Sequence, residues 1–207
     1  MAEPRFQNRK GQDGKPVLAL FIFALAALSF IAPKQARAAA GEHGVGLGLG
    51  QVLLMGDFAK NFSDSLGFQG IYSYEASQVF GLLVNLSLSS HSNADASNTL
   101  SLKALSPNLR INLAYIDKLV LYTFGGFGLV KADEKIGALQ GSVTTLGFNL
   151  GAAFYLALDK HFQFGTQLSF HNVFGKTDPT TVTATNPNGL SVGGTYLGLF
   201  LNVMYIF

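Results

Sequence analysis

The sequence predicts an all-β fold, an eight-stranded antiparallel up-and-down transmembrane β-barrel, on three observations. Apolar residues alternate with small or polar ones over segments of about ten residues, as strands between lipid and a barrel interior require. Short and long polar connections alternate between those segments. After Ile31 no run is long and apolar enough for a membrane helix.

The N-terminal segment reads as an export signal and is set aside first. Arg5, Arg9, Lys10 and Lys15 precede an uncharged apolar run from Val17 to Ile31, followed by Pro33 and the small-residue site Ala36, Arg37, Ala38. That order describes a secretory signal peptide over residues 1–38, with Ala36 and Ala38 at the cleavage site. Fifteen residues of helix would reach roughly 22 Å, short of the ~30 Å hydrocarbon core. The folded part is then residues 39–207, one domain.

Charge inverts once this segment is gone. Six of the fourteen Lys and Arg and two of the twelve Asp and Glu precede residue 39, leaving eight basic against ten acidic residues. No basic patch with interleaved aromatics remains, so nucleic acid is not an expected partner. The chain has no cysteine, which excludes disulfides, thiolate metal sites and a lipidated N-terminal cysteine. An exported chain of this kind draws its stability from a core or from a bilayer.

Along the folded part, Gly44 to Leu54 alternates Val45, Leu47 and Leu49 with Gly46, Gly48 and Gly50. Leu66 to Glu75 sets Leu66, Phe68, Tyr72 and Tyr74 against Gly67, Gln69 and Ser73. Val79 to Ser90 is the clearest strand, with Phe80, Leu82, Val84, Leu86 and Leu88 opposing Gly81, Asn85, Ser87 and Ser89; only Leu83 breaks the pattern. Leu100 to Tyr115 contains Pro107, where a bulge or bend is expected because proline cannot donate to a ladder. Beyond it Leu109, Ile111, Leu113 and Tyr115 oppose Arg110, Asn112 and Ala114. Leu119 to Val130 is aromatic and glycine-rich, with no face assigned. Leu146 to Leu156, Phe162 to Phe170 and Leu197 to Phe207 alternate again.

The connections 76–78, 116–118 and 159–160 are short, whereas 56–65, 91–98, 131–140 and 175–189 are longer and more polar. Short turns on the periplasmic side and long loops outside are the pattern of such a barrel. An even strand count places both termini in the periplasm, with Tyr72, Tyr74, Tyr115, Tyr155 and Tyr205 near that side as an interfacial girdle. A secreted β-sandwich or lipocalin-like barrel is the soluble alternative. It would carry charges on its outer face, yet the non-apolar face here is mainly Gly, Ser, Asn and Gln, and Asp57, Lys60, Asp64, Asp95, Lys131, Asp133, Glu134, Lys135 and Asp178 fall in the predicted loops.

The interior face then holds a polar network: Glu75, Asn85, Arg110, Asn112, Asn149, Gln163, Gln167, His171 and Asn202. Arg110 needs a partner there, since a dry unpaired guanidinium costs several kcal/mol, and Glu75 is the acid nearest to it by parity. Outer-membrane lipid and lipopolysaccharide are the expected surroundings of the apolar face, and the barrel is expected to be a monomer. An eight-stranded interior is only wide enough for side chains to fill it, which disfavours a diffusion porin.

The last strand, with apolar residues at alternate positions up to Val203, Tyr205 and Phe207, resembles the C-terminal signal of outer-membrane barrels. That resemblance implies Sec export, periplasmic chaperones and the BAM assembly machinery as partners, and a bacterial outer-membrane location. The chain from residue 39 onward resembles the small OmpA-, OmpX- and OmpW-like barrels. Leu105, Ser106, Pro107, Asn108 and Leu109, followed by Tyr122 to Gly128, are similar to the proline-containing fourth strand and glycine-rich fifth strand of OmpW-like proteins. A conduit for small hydrophobic molecules is what that subfamily would imply, with Leu83, Pro107 and Phe200 as the residues to watch.

Catalysis is not expected. Barrel lipid A deacylases carry a His-x-Ser order with an acid, whereas this chain has Ser169, Phe170, His171 and no carboxylate placed to orient the imidazole. His43, His91, His161 and His171 are dispersed, Asp133 and Glu134 lack the ladder of a calcium loop, and no cofactor is expected. Gly46, Gly48 and Gly50 have no following lysine of a phosphate-binding loop. The sequence reading is therefore a non-enzymatic outer-membrane barrel, an anchor with loops for structural or interaction roles.

Overall fold

The computed structural model describes residues 41–93, 97–181 and 190–207; the signal segment with Ala36 and Ala38, and Asp95, lie outside them. Eight antiparallel strands close into a ring in chain order: β1 (His43–Met55), β2 (Ser65–Glu75), β3 (Phe80–Ser92), β4 (Thr99–Ile116), β5 (Leu119–Ile136), β6 (Leu139–Ala157), β7 (Phe162–Asp178) and β8 (Leu190–Ile206). The seam is made by β1 on β8, in register from Gly44 opposite Ile206 to Met55 opposite Thr195. Below it His43 and Phe207 exchange backbone bonds of 3.1 and 2.8 Å. Such closure leaves no strand edge bare, which lipid demands because it offers no hydrogen bonds to a backbone.

The alternation sorts side chains as the pleat requires. Leu47, Leu49, Phe68, Leu86, Leu109, Phe127, Leu129, Leu146, Leu150, Leu201 and Val203 are exposed on the outer face, while Leu83, Tyr122, Tyr155, Phe200 and Met204 are buried inside. The unassigned strand β5 turns Val120, Tyr122, Phe124, Val130, Ala132 and Glu134 inward. Glycine lets the wall approach its contents. A Cβ on Gly50 would lie 2.6 Å from the Cα of Phe200, in a space already filled by the backbone of β8.

Three expectations are corrected. Pro107 causes no bulge: the register of β4 is unbroken across it on β3, and on β5 the pairs Leu105 with Leu129 and Asn108 with Gly126 keep one register. The shift falls between Asn112 and Ala114, and its extra residue pairs Tyr115 with the inward Val120, so Tyr115 packs against the interior cluster rather than the outer girdle. Tyr155 is likewise interior, fully buried and stacked on Tyr122 at 5.8 Å.

The third correction concerns residues 131–140, read as a loop. They are the extended hairpin of β5 and β6, paired from Lys131 opposite Thr144 to Ile136 opposite Leu139. The only residues between the two strands are Gly137 and Ala138, with Gly137 at φ 58°. Charge misled here, because Lys131, Asp133 and Lys135 lie on the outer face of a strand that has already left the apolar band. Asp178 similarly ends β7. Among the connections at this end, residues 56–64 carry the short helix α1 (Phe58–Asn61).

Gly50→Ala is expected to destabilise the barrel by roughly 1–3 kcal/mol through overpacking, whereas Gly70→Ala, whose new methyl meets only Leu86 at 3.8 Å, should be neutral. Urea unfolding in micelles compares the two.

Candidate functional site

The interior is the place where this sequence concentrates its polar groups, and it is layered. At the end with the tight turns, Arg110 on β4 and Glu75 on β2 form an ion pair in which both side chains are buried. Asn112 closes the triangle: its Oδ1 accepts from Arg110 Nε at 2.8 Å and its Nδ2 donates to Glu75 Oε2 at 2.8 Å. The Arg110 guanidinium sits 3.9 Å over the Tyr122 ring, and Tyr122 stacks on Tyr155. A charge pair taken out of water is favourable only with good geometry and further hydrogen bonds, and Asn112 together with the aromatic face supplies them.

Ile71, Leu83, Val120, Phe124, Ala153 and Met204 pack with these rings. Leu83, the break in the β3 pattern, is thus an interior residue of this layer.

A belt of amides follows. Gln69, Asn85, Asn108, Asn149, Gln167 and Asn202, one from each of β2, β3, β4, β6, β7 and β8, are all buried. Strands β1 and β5 contribute glycines at this height. A Cβ on Gly48 would strike the Asn202 side chain, and one on Gly126 would lie 2.8 Å from Asn108 Oδ1. Neither polar atom of Asn85, Asn149 or Gln167 has a hydrogen-bond partner among the described residues. Buried amides of this kind are suited to ordered water rather than to a dry seal.

Above the belt lies an apolar layer of Val52, Leu54, Leu100, Leu102, Ala104, Val130, Ala132, Val143, Val173, Val192, Tyr196 and Phe200, capped by Phe58 and Phe62 from the connection after β1. That connection is fastened over the mouth. Asp64 accepts from the Leu54 amide at 2.8 Å, His91 Nδ1 lies 3.0 Å from Ser63 O and its Nε2 2.9 Å from Ser89 Oγ.

His171 faces this region. Its Nε2 lies 3.2 Å from Ser169 Oγ and its ring stacks on Tyr196 at 4.5 Å, so Ser169 and an aromatic ring, not a carboxylate, are its neighbours. Gln163 is half-buried near the tight-turn end, apart from the Arg110 triangle. Among the described residues no group of three or more His, Asp or Glu is placed to hold a metal.

Glu134 was hidden from sequence reasoning by its charged neighbours. Its cross-strand partners are the inward Leu100 on β4 and Gly141 on β6, it is buried, and its Oε2 has no partner among the described residues. Burial raises its carboxyl from 4.5 to about 7. The parity after Leu129 would have found it, had residues 131–136 been read as strand.

At the seam, Val203, Tyr205 and Phe207 are exposed outward. His43 stacks on Phe207 at 5.8 Å and His161 on Tyr205 at 5.4 Å.

Two stability predictions follow from these groups. Arg110→Ala should cost about 3–5 kcal/mol, since it strands the Glu75 carboxylate, and the Arg110→Ala/Glu75→Ala double variant should lose clearly less than the sum; a double-mutant cycle by urea unfolding measures the coupling. For Glu134 the folded state holds its proton more tightly than the unfolded chain. Its contribution is complete below pH 4.5 and is lost as pH rises to about 7. Glu134→Gln should therefore unfold like the parent at pH 4 and later than it at pH 8.

The outer membrane protein beta-barrel domain family matches residues 22–199. Solved structures share the fold. Ail, the attachment invasion locus protein of Yersinia pestis, is 16% identical with a TM-score of 0.54, over 82% of this chain and 100% of its own. Neisserial surface protein A is 12% identical at 0.55, over 82% and 99%. The outer membrane protein OprG from Pseudomonas aeruginosa is 11% identical at 0.59, over 81% and 96%. No curated protein matches the chain in sequence. With a closed eight-stranded ring, an apolar outer band and a match over most of its length, this chain belongs to the family of outer membrane protein β-barrel domains.

Proposed function

We propose that the protein is a non-enzymatic outer-membrane anchor, exported through its N-terminal segment, with both termini in the periplasm and its loops outside for structural or surface-interaction roles. The observation that carries this reading is the filled interior. The Arg110, Glu75 and Asn112 triangle with Tyr122 obstructs one end, and Phe58, Phe62 and Leu100 obstruct the other. Solutes then have no through-path, and the accessible chemistry lies on the outer wall and in the loops.

Passage of small hydrophobic molecules needs an apolar route from the mouth inward. Here the apolar layer ends on six buried amides, which an apolar solute would have to desolvate and leave without partners. Among the described residues the recorded neighbours of His171 are Ser169 and Tyr196 rather than an orienting carboxylate. The exposed terminal row Val203, Tyr205 and Phe207 supports recognition by the assembly machinery while the seam is still open.

Outer-membrane extracts should show a folded band that shifts only on boiling, and protease on intact cells should cut in the 93–98 or 179–189 connections. The purified protein should give no stable conductance in planar bilayers. A steady conductance or uptake of an apolar dye would replace the anchor reading with a conduit.

A further inference from the structure

Toward the loop end, the ladder between β6 and β7 stops at Gly147 opposite Val173. Beyond that pair β6 is laddered to β5 and β7 to β8, and the register shift of β7 on β8 starts at the same Val173. Side chains span the joint instead. Thr145 Oγ1 donates to Phe174 O at 3.0 Å, Lys176 Nζ to Thr144 O at 3.0 Å, and the Ser142 amide to Asp178 Oδ2 at 2.8 Å. Such bonds compete with water at an exposed surface and contribute little net. One wall of the mouth is therefore a hairpin, Lys131 to Thr144, tied by a backbone ladder to β4 and only by side chains to β7.

Behind this joint the hairpin carries a buried acid. Glu134 points inward between Ala132 and Ile136, in a cross-strand row with His91, Leu100 and Gly141. Leu100 is apolar and Gly141 has no side chain, so neither neighbour solvates a carboxylate, and Glu134 Oε2 has no partner among the described residues. A charge placed there is tolerated only if it reaches water. The ionisable groups on the elements around it do not offset that charge. Lys131, Asp133 and Lys135 of the same hairpin alternate to the outer face. His91 on β3 is engaged by Ser63 O and Ser89 Oγ, and burial holds its imidazole below the ordinary value, so it carries no charge near pH 7. On the connection 56–64, Asp64 accepts from the Leu54 amide, and Asp57 pairs with Lys60 in solvent. On β7, Asp178 is kept ionised by bonds from the Thr180 hydroxyl and from the Thr180 and Ser142 amides. An ionised Glu134 thus adds a second negative charge beside the joint.

We infer that the β5–β6 hairpin is a proton-controlled flap, seated against β7 while Glu134 is protonated and swung away from β7 when Glu134 ionises, which opens one side of the mouth. The sign follows from burial. The seated state holds the Glu134 proton more tightly, with the carboxyl raised from 4.5 to about 7, whereas a swung-out hairpin returns it to water. Seating is complete below pH 4.5 and is lost as pH rises to about 7. The ratio of open to seated hairpin then grows roughly 50-fold between pH 5 and pH 8. What the motion uncovers is the apolar layer at Val143, Val173 and Val192, whichever way the barrel faces in the membrane.

The chain has no cysteine, so two introduced thiols are unique labelling sites. Gln140→Cys on β6 and Thr177→Cys on β7, both at exposed positions, flank the joint, and spin labels there report its width by pulsed dipolar electron resonance in lipid nanodiscs. The labelled parent should give one short distance at pH 5 and a second, longer population at pH 8. Adding Glu134→Gln should keep the short distance at both pH values, and adding Asp178→Ala should bring in the longer one already at pH 5. A parent distribution that ignores pH, or one that responds to pH equally with Glu134→Gln in place, overturns the flap. So does an Asp178→Ala protein that stays fully seated at pH 5. A Glu134→Gln protein without a heat-shifted band is replaced by Glu134→Met, for which the short distance is again expected at both pH values; a surviving response to pH there overturns the flap as well.

Discussion

The constraint on which this structure depends is that a backbone in hydrocarbon must find every hydrogen bond within itself. The seam between β1 and β8 meets it, since a ring with one open pair would leave two strand edges in lipid. The final residues matter for this reason. Phe207 exchanges backbone bonds with His43, and stacking of His43 on Phe207 and of His161 on Tyr205 braces the terminal strand from both neighbours. The same side chains that make the last strand greasy outside lock it to the first.

Closing eight strands fixes a narrow interior, and that width decides the rest. Large side chains enter where a facing wall residue gives way: Gly151 and Gly165 face the rings of Phe124 and Tyr155, and Gly48 and Gly126 face the amides of Asn202 and Asn108. Charge enters only as a satisfied set: Arg110 has a carboxylate, an amide and an aromatic face around it. The result is three layers of different chemistry, an ion-pair layer, an amide belt and an apolar cap.

The strands and their faces were legible in the sequence because lipid outside and a narrow lumen inside impose period two on nearly every residue of β3, β6, β7 and β8. The pairing of Arg110 with Glu75 was open to inference for a related reason, as one buried charge inside so small a ring leaves few places for its partner. What resisted reading was set by tertiary context. One register shift sits at Asn112–Ala114, where no proline or glycine announces it, and it turns Tyr115 from girdle to core; a second lies between Val173 and Lys176 on β7. Asn85, Asn149, Gln167 and Asn202 of the amide belt were named from the sequence, whereas Gln69 and Asn108 were not, and its closure by Gly48 and Gly126 depends on the stagger between strands.

The extended hairpin of β5 and β6 was missed because polarity was equated with loop. Past the apolar band a strand no longer needs a greasy outer face, so the alternation persists with its outer half inverted: Lys131, Asp133 and Lys135 outside, Ala132 and Glu134 inside. Beyond the lipid the same ladder behaves like that of a soluble barrel, with a small apolar core and a charged exterior.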